Sequence, residues 1–138
     1  MVIPRFIAQA LKGEPITVYG SGLQTRAFTF VKDTVKALIG IGFAEKCIGE
    51  VFNIGNEAHA TTIKNLATLI KKKTGSRSEI KFISYAEAYE RDFEDMMHRV
   101  PDTTKLRTAI GFKADYDLDN ILEQTIHFMK GAHAQALP

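Results

Sequence analysis

At 138 residues, 45% of them hydrophobic and 25% charged, the chain has the size and balance of one globular domain and not of a disordered segment. A net charge of +2 is too small to argue for a nucleic-acid partner, and no apolar run approaches the roughly 18–20 residues of a membrane helix. The single cysteine, Cys47, has no internal partner for a disulfide and reads as a small buried side chain in a reducing, cytoplasmic setting.

Val2, Ile3, Phe6, Ile7, Ala10 and Leu11 form an apolar stripe over a helix predicted at residues 3–12 and stopped by Gly13 and Pro15. The first five residues have no charged and apolar leader pattern, so no signal peptide is expected. A domain that opens directly on a core helix is expected to be cut from something longer, although a short native protein can also begin this way. Ile16–Tyr19 reads as a short strand running into the glycine-rich turn Gly20-Ser21-Gly22. Phe28, Phe30 and Val31 alternate weakly. Asp33 is expected to cap, or to sit in the first turn of, a helix reaching Ala44, with Val35, Leu38, Ile39 and Phe43 on its inner face. Val51–Gly55 reads as a short buried strand. Thr61 or Thr62 is expected to cap a helix running to Lys73, with Ile63, Leu66, Ala67 and Ile70 inward and Gly75 as its stop. Glu79–Ile83 alternates as a strand. Residues 84–98 give no clear period. Pro101–Leu106 opens a helix that reaches Ile110 and stops at Gly111, and Leu118–Met129 is the last helix, with Ile121, Leu122, Thr125, Ile126 and Met129 on one face. Residues 131–138 are expected to fray. Short strands separated by helices, without a repeat, make this α/β: a small mixed domain of short strands and about five helices.

The residues with chemical potential each have a plain structural reading beside the functional one. Arg26 follows a turn whose backbone N–H groups can approach a phosphate, and a guanidinium fork suits a diphosphate. A surface arginine after a hairpin turn fits the same residues. Arg99 and Asp102 read as a second cation and a sugar-hydroxyl acceptor, or as a solvated arginine and a dipole-complementing aspartate beside Pro101. Asn53 lies in a strand that otherwise reads as buried, so its amide needs a partner in the backbone or in a ligand. His59, His98, His127 and His133 have no metal-ligand spacing, and no metal is expected. No nucleophile elbow or Cys–His grouping points to covalent catalysis. Asp92, Glu94 and Asp95 read as a solvated acidic loop, and Lys71–Lys73 as a solvated helix end.

Five motifs in order resemble the C-terminal, substrate-binding portion of the extended short-chain dehydrogenase/reductase family of NAD-dependent nucleotide-sugar epimerases, dehydratases and decarboxylases. They are Val2-Ile3-Pro4-Arg5-Phe6 with Gly13-Glu14-Pro15-Ile16; Val18-Tyr19-Gly20-Ser21-Gly22-Leu23-Gln24-Thr25-Arg26-Ala27-Phe28; Phe30-Val31-Lys32-Asp33; Phe52-Asn53-Ile54-Gly55-Asn56; and Arg99-Val100-Pro101-Asp102 with Lys105 and Ile110-Gly111-Phe112. The resemblance implies that residues 1–130 are the nucleotide-sugar-binding lobe normally attached to a Rossmann domain. It implies a UDP- or dTDP-sugar as ligand, with Arg26 and Arg99 on the diphosphate, the backbone of Thr17, Val18 and Tyr19 along the nucleotide, Asn53 facing the same site and Asp102 near the ribose. It also implies NAD in the complete enzyme, and leaves a homodimer of that enzyme open.

The family's catalytic parts have no counterpart here. No Gly-x-x-Gly-x-x-Gly opens a helix, and the residues four beyond Tyr19, Tyr85, Tyr89 and Tyr116 are Leu23, Tyr89, Phe93 and Asn120, none of them lysine. No catalytic or cofactor-binding residue is therefore assigned in this chain. The expectation is a fragment without turnover that clamps the nucleotide while a missing Rossmann domain performs hydride transfer. The alternative is a stand-alone, non-catalytic module that docks on a separate Rossmann subunit.

Overall fold

The computed structural model describes residues 1–88 and 95–135. The first helix, α1 (Val2–Lys12), ends at Gly13. The strand β1 (Ile16–Tyr19) follows. It pairs in parallel with β4 (Ile80–Ile83), from Ile16 opposite Ile80 to Tyr19 opposite Ile83. Between them, α3 (Ile63–Thr74) starts at Thr62, whose hydroxyl accepts from the Asn65 N–H at 3.1 Å. Such a cap satisfies one of the amides that the first helical turn leaves unpaired. The last helix, α6 (Leu118–Gln135), is capped reciprocally: the Asn120 N–H donates to Asp117 at 2.8 Å and the Asp117 N–H to Asn120 at 3.3 Å.

Helices α1, α3 and α6 and strand β1 enclose the main core. Phe6, Ile7, Ile16, Val18, Leu66, Ala67, Ile70 and Leu122 are fully buried in it. The inward faces expected for α1, α3 and α6 are the ones observed. Lys73, at the end of α3, ties it to α6 through Asp119 at 2.8 Å and Glu123 at 3.0 Å. That residue is thus not simply a solvated helix end, because its side chain is 19% exposed.

A second, three-stranded sheet has β2 (Thr25–Arg26) at its centre. It is antiparallel to β3 (Thr61–Thr62) and parallel to β5 (His98–Arg99). The aperiodic stretch after β4 holds the single-turn helix α4 (Tyr85–Ala88) and then β5. Asp92 and Glu94 of the acidic cluster lie outside the described residues. Helix α5 (Thr104–Ile110) ends at Gly111 as expected. The fold is mixed α/β with six α-helices among the described residues. Helix α6 continues to Gln135, past Gly131, so residues 131–135 are helical where fraying was expected; residues 136–138 lie outside the described residues.

Helix α2 (Val31–Gly42) overturns one expectation. Val35, Leu38, Ile39 and Phe43, taken as its inner face, are 48%, 55%, 56% and 89% exposed. The covered side is instead Asp33, Ala37 and partly Ile41, packed toward Leu106 and Phe112. Asp33 fixes this orientation. It is 1% exposed, and its two carboxylate oxygens accept from the Asp115 N–H at 2.9 Å and the Tyr116 N–H at 3.2 Å. A buried carboxylate must be paired, and two backbone donors do so here. Helical periodicity identifies an apolar stripe but not what covers it.

Residues 51–54 differ as well. Val51 and Asn53 face outward while Phe52 and Ile54 are partly covered, the alternation of a strand. No strand forms there, and the segment joins neither sheet among the described residues. Cys47 is buried, as its composition argument requires.

Two stability measurements check this account. Asp33→Ala orphans two backbone amides and is expected to cost about 1–3 kcal/mol in urea unfolding. Phe43→Ser is expected to stay within about 0.5 kcal/mol of the parent, whereas Phe6→Ala, in the main core, should cost roughly 3–5 kcal/mol. Equal losses for the two phenylalanines would contradict the assigned faces.

Candidate functional site

The site begins at the turn between β1 and β2. Gly20 and Gly22 have φ of 67° and 72°, the left-handed region that glycine enters without strain. Their missing side chains also make room. A Cβ at Gly20 would overlap the Tyr85 ring, and one at Gly22 would lie 2.9 Å from Val18 Cγ1 and 3.0 Å from Lys64 Cβ. The turn's polar groups are largely committed within the chain. The N–H groups of Gly20, Leu23 and Thr25 donate to the Ile83 carbonyl at 2.8 Å, Ser21 Oγ at 3.3 Å and the Met97 carbonyl at 2.7 Å. The carbonyls of Gly22 and Gln24 accept from the first amides of α3, Lys64 at 2.9 Å and Ile63 at 3.1 Å. The picture of these amides cradling a phosphate therefore narrows to the side chains beside the turn.

Strand pairing brings the two arginines together. Arg26 of β2 stands directly opposite Arg99 of β5 in the parallel register. Residues paired across two strands share a face of the sheet, and like charges there repel unless an anion intervenes. An anion is present at Arg26. Its Nη2 donates to Asp95 Oδ1, and its Nη1 donates to the carbonyls of Thr25 and Met96, each at 2.8 Å. Arg99 is exposed, and among the described residues no hydrogen bond or ion pair engages its side chain.

Three residues of this site are not assigned to it by the sequence. Gln24 is 5% exposed, and its Nε2 donates to the Tyr19 carbonyl and to Tyr85 Oη, both at 2.9 Å. Tyr85 in turn donates to Asp95 Oδ2 at 2.8 Å. The chain Tyr19–Gln24–Tyr85–Asp95–Arg26 joins the β1 edge to the arginine. Asp95, read as part of a solvated loop, is instead a half-buried partner of Arg26, its side chain 22% exposed. Gln24 sits inside the turn motif, which was a usable signal. Tyr85 and Asp95 lie 61 and 69 residues from their partners Gln24 and Arg26, so local pattern carried none.

Asn53 and Asp102 form a neighbouring pair, with Asn53 Nδ2 donating to the Asp102 carbonyl at 3.2 Å. Asn53 is exposed, contrary to the buried strand amide expected. Asp102 leaves the chain three residues beyond Arg99. Its Oδ1 accepts from the Thr104 N–H at 2.8 Å, and that bond, with the Thr104 hydroxyl, holds the carboxyl below the usual carboxylate range. No hydrogen bond among the described residues joins this pair to Arg26. Along β1, Thr17 is tied to α1: its N–H donates to Gln9 Oε1 at 3.1 Å, and its carbonyl accepts from Arg5 Nη2 at 3.0 Å. The Arg5 guanidinium lies 4.2 Å from the Tyr19 ring centroid, within cation–π range. The Val18 side chain belongs to the core.

Comparison with known proteins identifies the family. Residues 1–125 match the family model described as GDP-mannose 4,6 dehydratase. The chain is 40% identical over 129 residues to the UDP-N-acetyl-alpha-D-glucosaminuronate decarboxylase of Bacillus cytotoxicus, covering 94% of this chain and 40% of that protein. The solved epimerase Mth375 of Methanothermobacter thermautotrophicus shares the fold, with a TM-score of 0.87 at 24% identity over 98% of this chain and 38% of its own. The UDP-glucuronic acid 4-epimerase of Bacillus cereus, solved in complex with UDP-glucuronic acid and NAD, superposes with a TM-score of 0.83 at 26% identity, over 96% of this chain and 40% of that one. The chain thus spans about 40% of the length of these proteins. It belongs to the GDP-mannose 4,6 dehydratase family, among the NAD-dependent nucleotide-sugar epimerases and dehydratases of the extended short-chain dehydrogenase/reductase group.

Proposed function

We propose that this chain is the nucleotide-sugar-binding portion of an NAD-dependent epimerase, dehydratase or decarboxylase, and that it grips the diphosphate of a UDP- or dTDP-sugar. The observation that carries this is the register that sets Arg26 opposite Arg99. Two cations on one face of a sheet form a fork for a dianion, and a diphosphate fits that fork better than a single carboxylate. Asn53 and Asp102, beside β5, extend the grip toward the ribose. Of the β1 residues only Tyr19, at the strand end beside the turn, is positioned to border the nucleotide, since Thr17 is bonded to α1 and Val18 is buried. Binding energy gathered here, away from the reacting bonds, positions the sugar for chemistry elsewhere.

We assign NAD and the acid–base residues to the remainder of the enzyme. In this chain the glycine-rich turn leads into β2 and not into a helix N-terminus, so its residues do not fit a dinucleotide diphosphate. The outward apolar face of α2, with Val31, Leu38, Ile39 and Phe43, supports docking of that remainder. The alternating exposure at residues 51–54, a strand-like pattern outside both sheets, supports the same reading. The same face would serve whether the remainder is continuous with this chain or is a separate Rossmann subunit.

Calorimetric titration of the full chain with UDP and dTDP tests the grip. Saturable binding is expected at millimolar nucleotide. Arg99→Ala removes a charge-assisted contact without removing any bond the ligand-free fold uses, and should weaken binding roughly 10-fold or more. No heat from either nucleotide, or equal affinity in Arg99→Ala, would overturn the reading.

A further inference from the structure

We infer that the Asp95 carboxylate is an internal stand-in for a ligand phosphate, and that Tyr85 is a phosphate-binding residue of the same site. The inference rests on the diphosphate grip proposed above. Asp95 accepts with both oxygens, one from Arg26 Nη2 and the other from Tyr85 Oη at 2.8 Å. Two donors on adjoining oxygens of one anion is also the way a phosphate is held.

Each donor also has a partner other than the Asp95 carboxylate. Arg26 Nη1 is fixed by the carbonyls of Thr25 and Met96. Tyr85 Oη accepts from Gln24, whose amide is anchored to the Tyr19 carbonyl. That bond to Gln24 occupies an acceptor position of the hydroxyl and leaves its proton to be donated. When the carboxylate withdraws, the guanidinium and the hydroxyl stay aimed at the position it leaves. An incoming phosphate then inherits both donors, with Arg99 across the strand pair as a third. The Arg26 and Asp95 side chains are 18% and 22% exposed, so the pair is shielded from solvent yet open on one side to exchange. The displacement makes no covalent bond. It exchanges one anion for another and leaves the arginine paired throughout, which avoids a bare half-buried charge in the ligand-free state.

The test is titration of the full chain with UDP and with inorganic pyrophosphate, followed by calorimetry and by the side-chain resonances of Arg26 and Asp95. Asp95→Asn removes the competing charge while keeping the side chain's shape. It is expected to bind both ligands about 5-fold more tightly, the scale of a partly exposed ion pair. Tyr85→Phe should weaken binding several-fold in the parent and in the Asp95→Asn background alike. In the parent, the Asp95 carboxyl-carbon resonance should move with the same midpoint as the Arg26 side-chain signal, a readout that needs no variant to fold. Unchanged or weaker binding by Asp95→Asn, an Asp95 resonance that stays fixed at saturating UDP, or full affinity in Tyr85→Phe overturns the inference. If UDP binds, and Arg99→Ala weakens it, while any of those results holds, this inference alone fails. If neither parent nor Asp95→Asn binds UDP or pyrophosphate, the diphosphate reading fails with it.

Discussion

A buried amide links the end of β1 to the segment after β4 at the turn that enters β2. Gln24 lies between β1 and β2, almost fully out of solvent, and a buried amide without partners would cost more than its packing returns. Its Nε2 meets that demand by bridging the last strand carbonyl of β1 and the hydroxyl of Tyr85. The turn and the polar relay that reaches Arg26 follow from this bridge. The turn needs Gly20 because the Tyr85 ring occupies the space of a side chain there. Tyr85 is thereby aimed at Asp95, and Asp95 at Arg26. The arginine pair owes its placement to strand register and its orientation to this polar relay.

The relay also explains how like charges coexist. Arg26 and Arg99 share a sheet face, but they are not equivalent. Arg26 is clamped by two carbonyls and a carboxylate, whereas Arg99 is exposed. One arm of the proposed fork is held by several partners and the other by none among the described residues. A rigid donor sets where an anion sits, and a flexible one gathers what remains of its charge, at the entropic cost of ordering a long side chain.

The sequence made the local parts readable and left the long-range parts hidden. Helices α1, α3 and α6 announced themselves because their apolar residues recur at helical spacing and each covered face lies on a core built from this chain. The stops at Gly13, Gly75 and Gly111 fell where expected. The apolar stripe of α2 was equally visible, yet its outward direction was not, because Asp33 anchors the opposite face through amides more than 80 residues away. Arg26 and Arg99 could be named as candidates from their motifs, but only strand pairing shows that they are neighbours. Asp95 differs from its expectation for the same reason: an acidic residue in an aperiodic stretch reads as solvated, and its partner Arg26 is 69 residues away.

The unpaired segment at residues 51–54 has a practical consequence. The segment joins neither sheet among the described residues, and the large apolar side chains of α2 face solvent. A strand-like segment left unpaired recruits whatever strand is at hand. In a concentrated solution of this chain alone, the strand at hand is the same segment of another molecule. The surface proposed to dock the remainder of the enzyme is therefore also one that favours self-association when nothing covers it.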